Sequence, residues 1–341
     1  MFYVSNYSIA VALCVVCMFC WGSWGNTQKL AGKSWRYELF YWDYVIGLLL
    51  FSLIAGLTAG STVKGSAWGF CANLKSSFGL VWLWPLAAGI VFNASNILLS
   101  ASIAVAGMSV AFPVGVGLAL VGGTVMNYFV SPDGKPLGLI VAGLALIVTS
   151  IVCNALAFKA KQTDVATDRS ATKKGLALAV VAGLLMMWFS PLVNKVIDNS
   201  FASEAPAAGK MTAYTAFFVF VAGIFLSNFI WNTIAMRKPV QGEPIRDGMK
   251  RYFSGSLFTH AVGMLGGSIW GIGTLLSFVT AGAASPAIAY ALGQGATLVS
   301  ALWGIFIWKE FAGAPRKAAV LNTLMFVLFV TGLAVLIKAG A

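Results

Sequence analysis

Ten apolar stretches, five on each side of a short charged linker, constrain this chain more than any other feature. They fall near residues 8–28, 39–60, 79–101, 106–129, 137–158, 175–194, 212–235, 256–280, 284–308 and 317–338. Each approaches the roughly 20 residues a helix needs to cross a hydrocarbon core about 30 Å thick. In that medium only a helix or a closed barrel gives every backbone group a partner. The expected fold is an all-α polytopic membrane protein with ten transmembrane helices. Residues 1–158 and 175–341 make two five-helix units joined by the linker 159–174, which carries Lys159, Lys161, Arg169, Lys173 and Lys174. An odd number of crossings turns the second unit upside down, so the units read as inverted repeats, an arrangement of solute transporters. Weak echoes agree: Trp21-Gly22-Ser23 with Trp188-Phe189-Ser190, Lys29 with Lys195, and Gly107–Ala111 with Gly282–Pro286.

Composition removes the soluble classes. The chain is 59% hydrophobic and 9% charged, with a mean hydropathy of +0.87, a balance foreign to soluble domains. A net charge of +12 would suggest nucleic acid elsewhere. Here the basic residues lie in loops, with no basic patch interleaved with aromatic readers, so no nucleic-acid partner is expected.

The same residues predict orientation. With the N-terminus outside, the inner loops hold Lys29, Lys33, Arg36, the five linker charges, Arg237, Lys238, Arg246, Lys250, Arg251, Lys309, Arg316 and Lys317. The outer loops hold only Lys64, Lys75, Lys135, Lys195, Lys210 and Lys338. The excess predicts both termini outside and a cytoplasmic linker, in the inner or plasma membrane. Met1–Ser8 has no Lys or Arg, so the first stretch reads as a retained helix and not a cleaved signal.

Catalytic and metal chemistries find little support. Cys14, Cys17 and Cys20 mimic part of an iron–sulfur run, but Trp24 stands where a fourth ligand would; small apolar packing residues is the better reading. Gly32-Lys33-Ser34 resembles the tail of a phosphate loop, yet Thr27 replaces its first glycine. One histidine, His260, cannot build a metal site and reads as a packing or hydrogen-bonding group. No enzyme, cofactor or metal is expected.

Polar groups inside apolar helices mark either a solute path or helix contacts. The first stretch ends in Trp21-Gly22-Ser23-Trp24-Gly25-Asn26, a loosened turn whose indoles suit flat or sugar-like solutes; an interfacial aromatic belt is the alternative. The sixth repeats the idea with Trp188, Ser190 and Asn194, and Pro191 should break it. Asn93, Asn96 and Ser100 share one helix face, as do Tyr290, Gln294 and Thr297, with Trp270 and Thr274 nearby in sequence. Gly263, Gly267 and Gly271 read as close helix contacts. Asp43 is the one acid clearly inside a stretch, with Glu38 at its edge; about 140° apart, they cannot face one pore. Asp43 is the proton-coupling candidate, with Glu38 second; a structural pair of Asp43 with Lys29 or Arg36 is the alternative.

Several segments together resemble the ureide permease family of the drug/metabolite transporter superfamily. They are Trp21–Trp24, Tyr41-Trp42-Asp43-Tyr44, Gly89-Ile90-Val91 leading to Asn93 and Asn96, Phe189-Ser190-Pro191 with Asn194, Tyr214–Phe218 and Leu298–Ile305. The resemblance implies a ten-helix secondary transporter, near a branch of glucose- and rhamnose-type sugar uptake proteins. It implies proton-linked uptake of allantoin, uracil and similar oxo-heterocycles, or of sugars, and it places the acid of a Tyr-x-Asp-Tyr motif on Asp43. Plant members carry a much longer central loop than this linker allows.

The resulting expectation is a permease for a small, polar, largely uncharged solute, with protons or sodium as coupling ion and the bilayer as partner. The solute would stack on Trp21, Trp24, Trp188 or Trp270 and bond Asn26, Asn93, Asn96, Ser190, Thr274, Tyr290 or Gln294. An exporter of drugs or metabolites is the alternative; an intramembrane enzyme is the distant one.

Overall fold

Each apolar stretch is a membrane-length helix in the computed structural model, which describes residues 1–32, 35–61, 69–106, 111–130, 134–161, 169–199, 206–309 and 311–341. Lys33, Ser34, Lys64, Asp133, Asp164, Asp168, Glu204, Glu310, the Gly107–Val110 echo and the middle of the linker lie outside the described residues. The spans are α1 (Tyr7–Leu30), α2 (Tyr37–Leu57), α3 (Leu80–Ala106), α4 (Pro113–Val130) and α5 (Leu137–Ala157), then α6 (Lys173–Asn194), α7 (Ala213–Arg237), α8 (Leu257–Ala284), α9 (Pro286–Ile307) and α10 (Arg316–Gly340). The expected third and fourth boundaries need moving. α3 runs on to Ala106, and within it Ser102 donates its hydroxyl to Gly175 O on α6 at 2.8 Å. α4 is already helical at Ala111 and passes through a π-helical turn, Phe112–Val116, that carries Pro113. Short helices at Phe70–Ser76 and Gly248–Phe253 were not foreseen.

Three spans are interrupted. α1 divides into Tyr7–Ser23 and Gly25–Leu30. The helix of α6 stops at Met186 and resumes at Phe189, because the Pro191 ring clashes with the carbonyl four residues back, at Met187. α9 stops at Gly293 and resumes at Ala296. A single residue, Ser285, reverses the chain between α8 and α9, at φ +75°, and its hydroxyl accepts from Ile288 N at 3.2 Å.

Lipid tails are as apolar as leucine, so close backbone contact must hold the bundle. α2 crosses α8 where a Cβ on Gly47 would sit 2.1 Å from Met264 O, and one on Gly267 would sit 1.9 Å from Tyr44 O. α3 crosses α7 in the same way: Gly89 abuts Phe220 O and Gly223 abuts Leu86 O. α1 also packs on α8, α3 on α6, α2 on α7, α4 on α9 and α5 on α10.

The two termini share one end of the bundle. Phe2 N donates to Ala59 O at 2.8 Å, Tyr7 bonds Ile337 O, and Lys135 Nζ donates to Gly340 O at 2.6 Å. The α5–α6, α1–α2 and α7–α8 connections meet at the other end, where Lys174 Nζ donates to Val240 O at 2.5 Å.

Candidate functional site

The α1 and α6 interruptions turn their aromatic residues toward α3 and α8, and a narrow crevice with room for little more than a water molecule lies between them. Trp21 stacks on Trp270 with ring centres 6.2 Å apart. Trp270 stacks in turn on Phe92 at 4.5 Å. Phe189 meets Trp21 edge-on at 6.3 Å. Trp24 joins this wall and packs on Tyr44 at 5.1 Å. Among the lining residues the polar side chains besides the indoles are the amides of Asn96 and Gln294, and none is charged. Trp21 is held by its indole N–H, which donates to Thr274 Oγ at 3.0 Å. Asn96 is held by Tyr41, to whose hydroxyl it donates at 3.2 Å. Such a site offers flat apolar faces and a few fixed hydrogen-bonding groups, which suits a small neutral polar ligand.

Of the residues proposed from sequence to bind solute, the structure brings Trp21, Trp24, Asn96, Trp270 and Gln294 to this cavity. Thr274 and Tyr290 stand behind it. Tyr290 packs edge-on against Trp21 at 6.2 Å and donates to Ala119 O at 3.1 Å. Asn93 is turned toward α7, donating to Ile224 O at 3.1 Å and Ser227 Oγ at 3.0 Å. Ser190 sits in a network with Asn127 and Asn194. Asn26 accepts from Trp308 Nε1 at 2.7 Å. Trp188 is 39% exposed on the outside of the bundle. The proline break rotates the chain so that its neighbour Phe189 points inward. Tyr41, Tyr44, Phe92 and Phe189 were missed as site residues; their aromatic crowding in otherwise aliphatic helices was the available signal.

Asp43 lies apart from the cavity, near the linker end of α2. Its Oδ1 accepts from the Tyr252 hydroxyl at 2.5 Å and stands 2.8 Å from His260 Nδ1. Gly263 leaves room for it: a Cβ there would lie 2.4 Å from Asp43 Cβ. Tyr252, on the short helix Gly248–Phe253, has its hydroxyl pKa pushed well up by burial and by the bond to Asp43. Of the partners offered for Asp43 in the alternative reading, Lys29 lies over the Trp308 ring and Arg36 is taken by Glu38, through Nε to Oε2 at 3.1 Å and a second, closer bond from Nη2. Arg36 also donates to Glu243 O at 2.5 Å and Gln241 O at 3.4 Å. Sequence missed the Asp43–His260–Tyr252 group because its members come from three separate helices. Among the described residues no group of three or more His, Cys, Asp or Glu could hold a metal ion.

The ureide permease family profile matches residues 159–339. Ureide permease 1 of Arabidopsis thaliana is 24% identical, over 100% of this chain and 99% of its own length. Ureide permease 2 of the same plant is also 24% identical over the same shares. A Streptococcus agalactiae protein named for sugar uptake is 23% identical over 93% of this chain and 94% of its own. A solved crystal structure shares the fold, with a TM-score of 0.60 over 97% of this chain and 96% of that one at 15% identity.

Proposed function

The chain belongs to the ureide permease family, and on that premise we propose that it moves a ureide, nucleobase, nucleoside or sugar by proton-coupled uptake. It is a multi-pass membrane transporter for a small solute, not an enzyme. The observation that carries the solute class is the cavity wall. Trp21, Trp24, Trp270 and Phe189 supply faces, Asn96 and Gln294 supply amides, and no charge lines it. An ionic solute would meet no counter-charge there and would lose its hydration for nothing in return.

Alternating access would follow from inverted repeats over 1–158 and 175–341. Renumbering each helix as its counterpart five along turns the α1–α8 contact into α6–α3 and α2–α8 into α7–α3, and maps α2–α7, α4–α9 and α5–α10 onto themselves. The tight glycines follow: Gly47 becomes Gly223 and Gly267 becomes Gly89. Both termini would lie outside a plasma membrane, with the linker 159–174 in the cytoplasm.

Asp43 would carry the coupling proton, with Glu38 second. Asp43 has two partners that can take or give a proton, His260 and Tyr252, whereas Glu38 is tied to Arg36. Protein in vesicles tests this with radiolabelled allantoin, uracil and glucose. Asp43→Asn should abolish accumulation against a gradient and retain solute exchange, which moves no net proton. Accumulation retained by folded Asp43→Asn protein would falsify the role of Asp43. Accumulation driven by sodium without a proton gradient would replace protons as the coupling ion.

A further inference from the structure

Polar side chains without partners gather along one seam, between α2, α3 and α7. Asn228 on α7 is fully buried and neither its Oδ1 nor its Nδ2 has a hydrogen-bond partner. Ser100 Oγ on α3 and Asn232 Oδ1 on α7 are also buried and unpaired. In a membrane interior an orphaned polar group is costly, and an amide orphaned at both ends calls for an explanation other than packing.

Two hydrogen bonds place the seam. Asn232 Nδ2 donates to Glu38 O at 2.8 Å, which pins α7 to the linker end of α2. Asn96 Nδ2 donates to Tyr41 at 3.2 Å, which pins α3 to α2 one turn further in. Asn228 is one turn from Asn232 on the same face of α7, as Tyr41 is one turn from Glu38 on α2. The two helices run antiparallel, so Asn228 comes to the level of Tyr41 and Asn96. Asn96 lines the central cavity. Ser100, one turn beyond it on α3, comes to the level of Glu38 and Asn232. The row therefore leads from the cavity at Asn96, past Asn228, to Asn232 and Glu38. There the Arg36–Glu38 pair, tied to Glu243 and Gln241, closes the linker end.

We propose that this seam is the solute's conduit between the cavity and the linker face, and that Asn228 is its transit site for a neutral solute bearing paired donor and acceptor groups. The proposal rests on the permease reading and deepens it. In the packed state the helices are closed over the seam. When α7 parts from α2 and α3, water and solute satisfy the amide of Asn228 and the hydroxyl of Ser100. The seam carries no unpaired charge, so it passes neutral molecules and resists ions. Breaking Arg36–Glu38 is the step that opens it.

Oriented membrane vesicles test this with Asn228→Cys and an uncharged sugar-linked methanethiosulfonate, which is too hydrophilic to cross the bilayer, scored as reagent added at that cysteine so that the exposed Cys71 does not count. Val219→Cys, equally buried on the same helix, is the dry control. Modification from the linker face should be about tenfold or more faster at Asn228→Cys than at Val219→Cys, and slower with solute present. Equal rates, or reaction from the terminus face alone, would overturn the conduit. As a second variant, Asn228→Leu should fold with unchanged or higher thermal stability and lose about tenfold or more in uptake. Unchanged uptake would overturn the transit role. Linker-face labelling in a parent chain that moves none of the three solutes would leave the conduit standing and remove the permease reading, so the two failures are separable.

Discussion

The interruptions of α1 and α6 sit five spans apart and use similar residues, yet the surroundings differ. On either side of the α1 break, Ser23 and Asn26 each accept from an indole: Trp303 Nε1 reaches Ser23 Oγ at 2.9 Å and Trp308 Nε1 reaches Asn26 Oδ1 at 2.7 Å. After the α6 break, Ser190 and Asn194 turn instead to another amide, Asn127, at 3.0 Å each. Both breaks are followed by a lysine on a tryptophan face, Lys29 on Trp308 at 4.7 Å and Lys195 on Trp84 at 3.4 Å. An indole donates only, so the α1 break is closed once its oxygens are filled. An amide both gives and takes, so the α6 network retains an unpaired oxygen, Asn194 Oδ1. One break is anchored by indole donors; the other is held by a network of amides and a hydroxyl that both give and take hydrogen bonds.

The contrast is sharpest at the inward aromatics. Trp21→Ala should cost about 3–5 kcal/mol, because it empties a packed site and takes a donor from the Thr274 hydroxyl, which keeps its bond to Trp270 O. Thermal unfolding in detergent measures it, and solute binding should vanish with it. A loss below about 1 kcal/mol would mean that the α1 anchor is not rigid. Next is Asn194→Leu, expected at about 1–3 kcal/mol, since Asn127 Oδ1 and Ser190 lose a donor. If the network is exchangeable, uptake should fall less than stability does; a proportionate fall would erase the distinction between the breaks.

Ser23→Ala removes one acceptor from Trp303 and should cost about 1 kcal/mol. A tryptophan fluorescence shift should accompany it, as that indole loses its partner. Trp188→Phe is the smallest change. The residue faces outward, so stability should move by no more than about 0.5 kcal/mol and uptake should be unaltered. An effect the size of Trp21→Ala would place Trp188 on the solute path, where its match to Trp21 in sequence suggested it belonged.

That mismatch shows where sequence reading stops. Trp21-Gly22-Ser23 and Trp188-Phe189-Ser190 align by residue type, but a one-residue rotation at the Met187–Trp188 break substitutes Phe189 for the tryptophan. Pro191 announced the break; no local signal announced the rotation. Likewise Asn93 and Asn96 share a face by spacing, but a helix face is wide enough for one to meet α7 and the other to meet Tyr41 and the cavity. Asn228 carried no signal at all, since one asparagine in an apolar stretch is equally at home in a helix contact.

Hydropathy and spacing determined the ten spans, the linker between the fifth and sixth, and the breaks at Trp24 and Pro191. Those properties follow from the bilayer's demand for satisfied backbone and from the stereochemistry of single residues, and both act locally along the chain. The tertiary structure alone decided that Asp43 meets His260 and Tyr252 while Glu38 takes Arg36, and which of the paired aromatics points inward. Those outcomes depend on how far each helix turns about its own axis. The glycine crossings at Gly47, Gly89, Gly223 and Gly267 set that rotation, because each must bring one particular side of its helix against a neighbour's backbone.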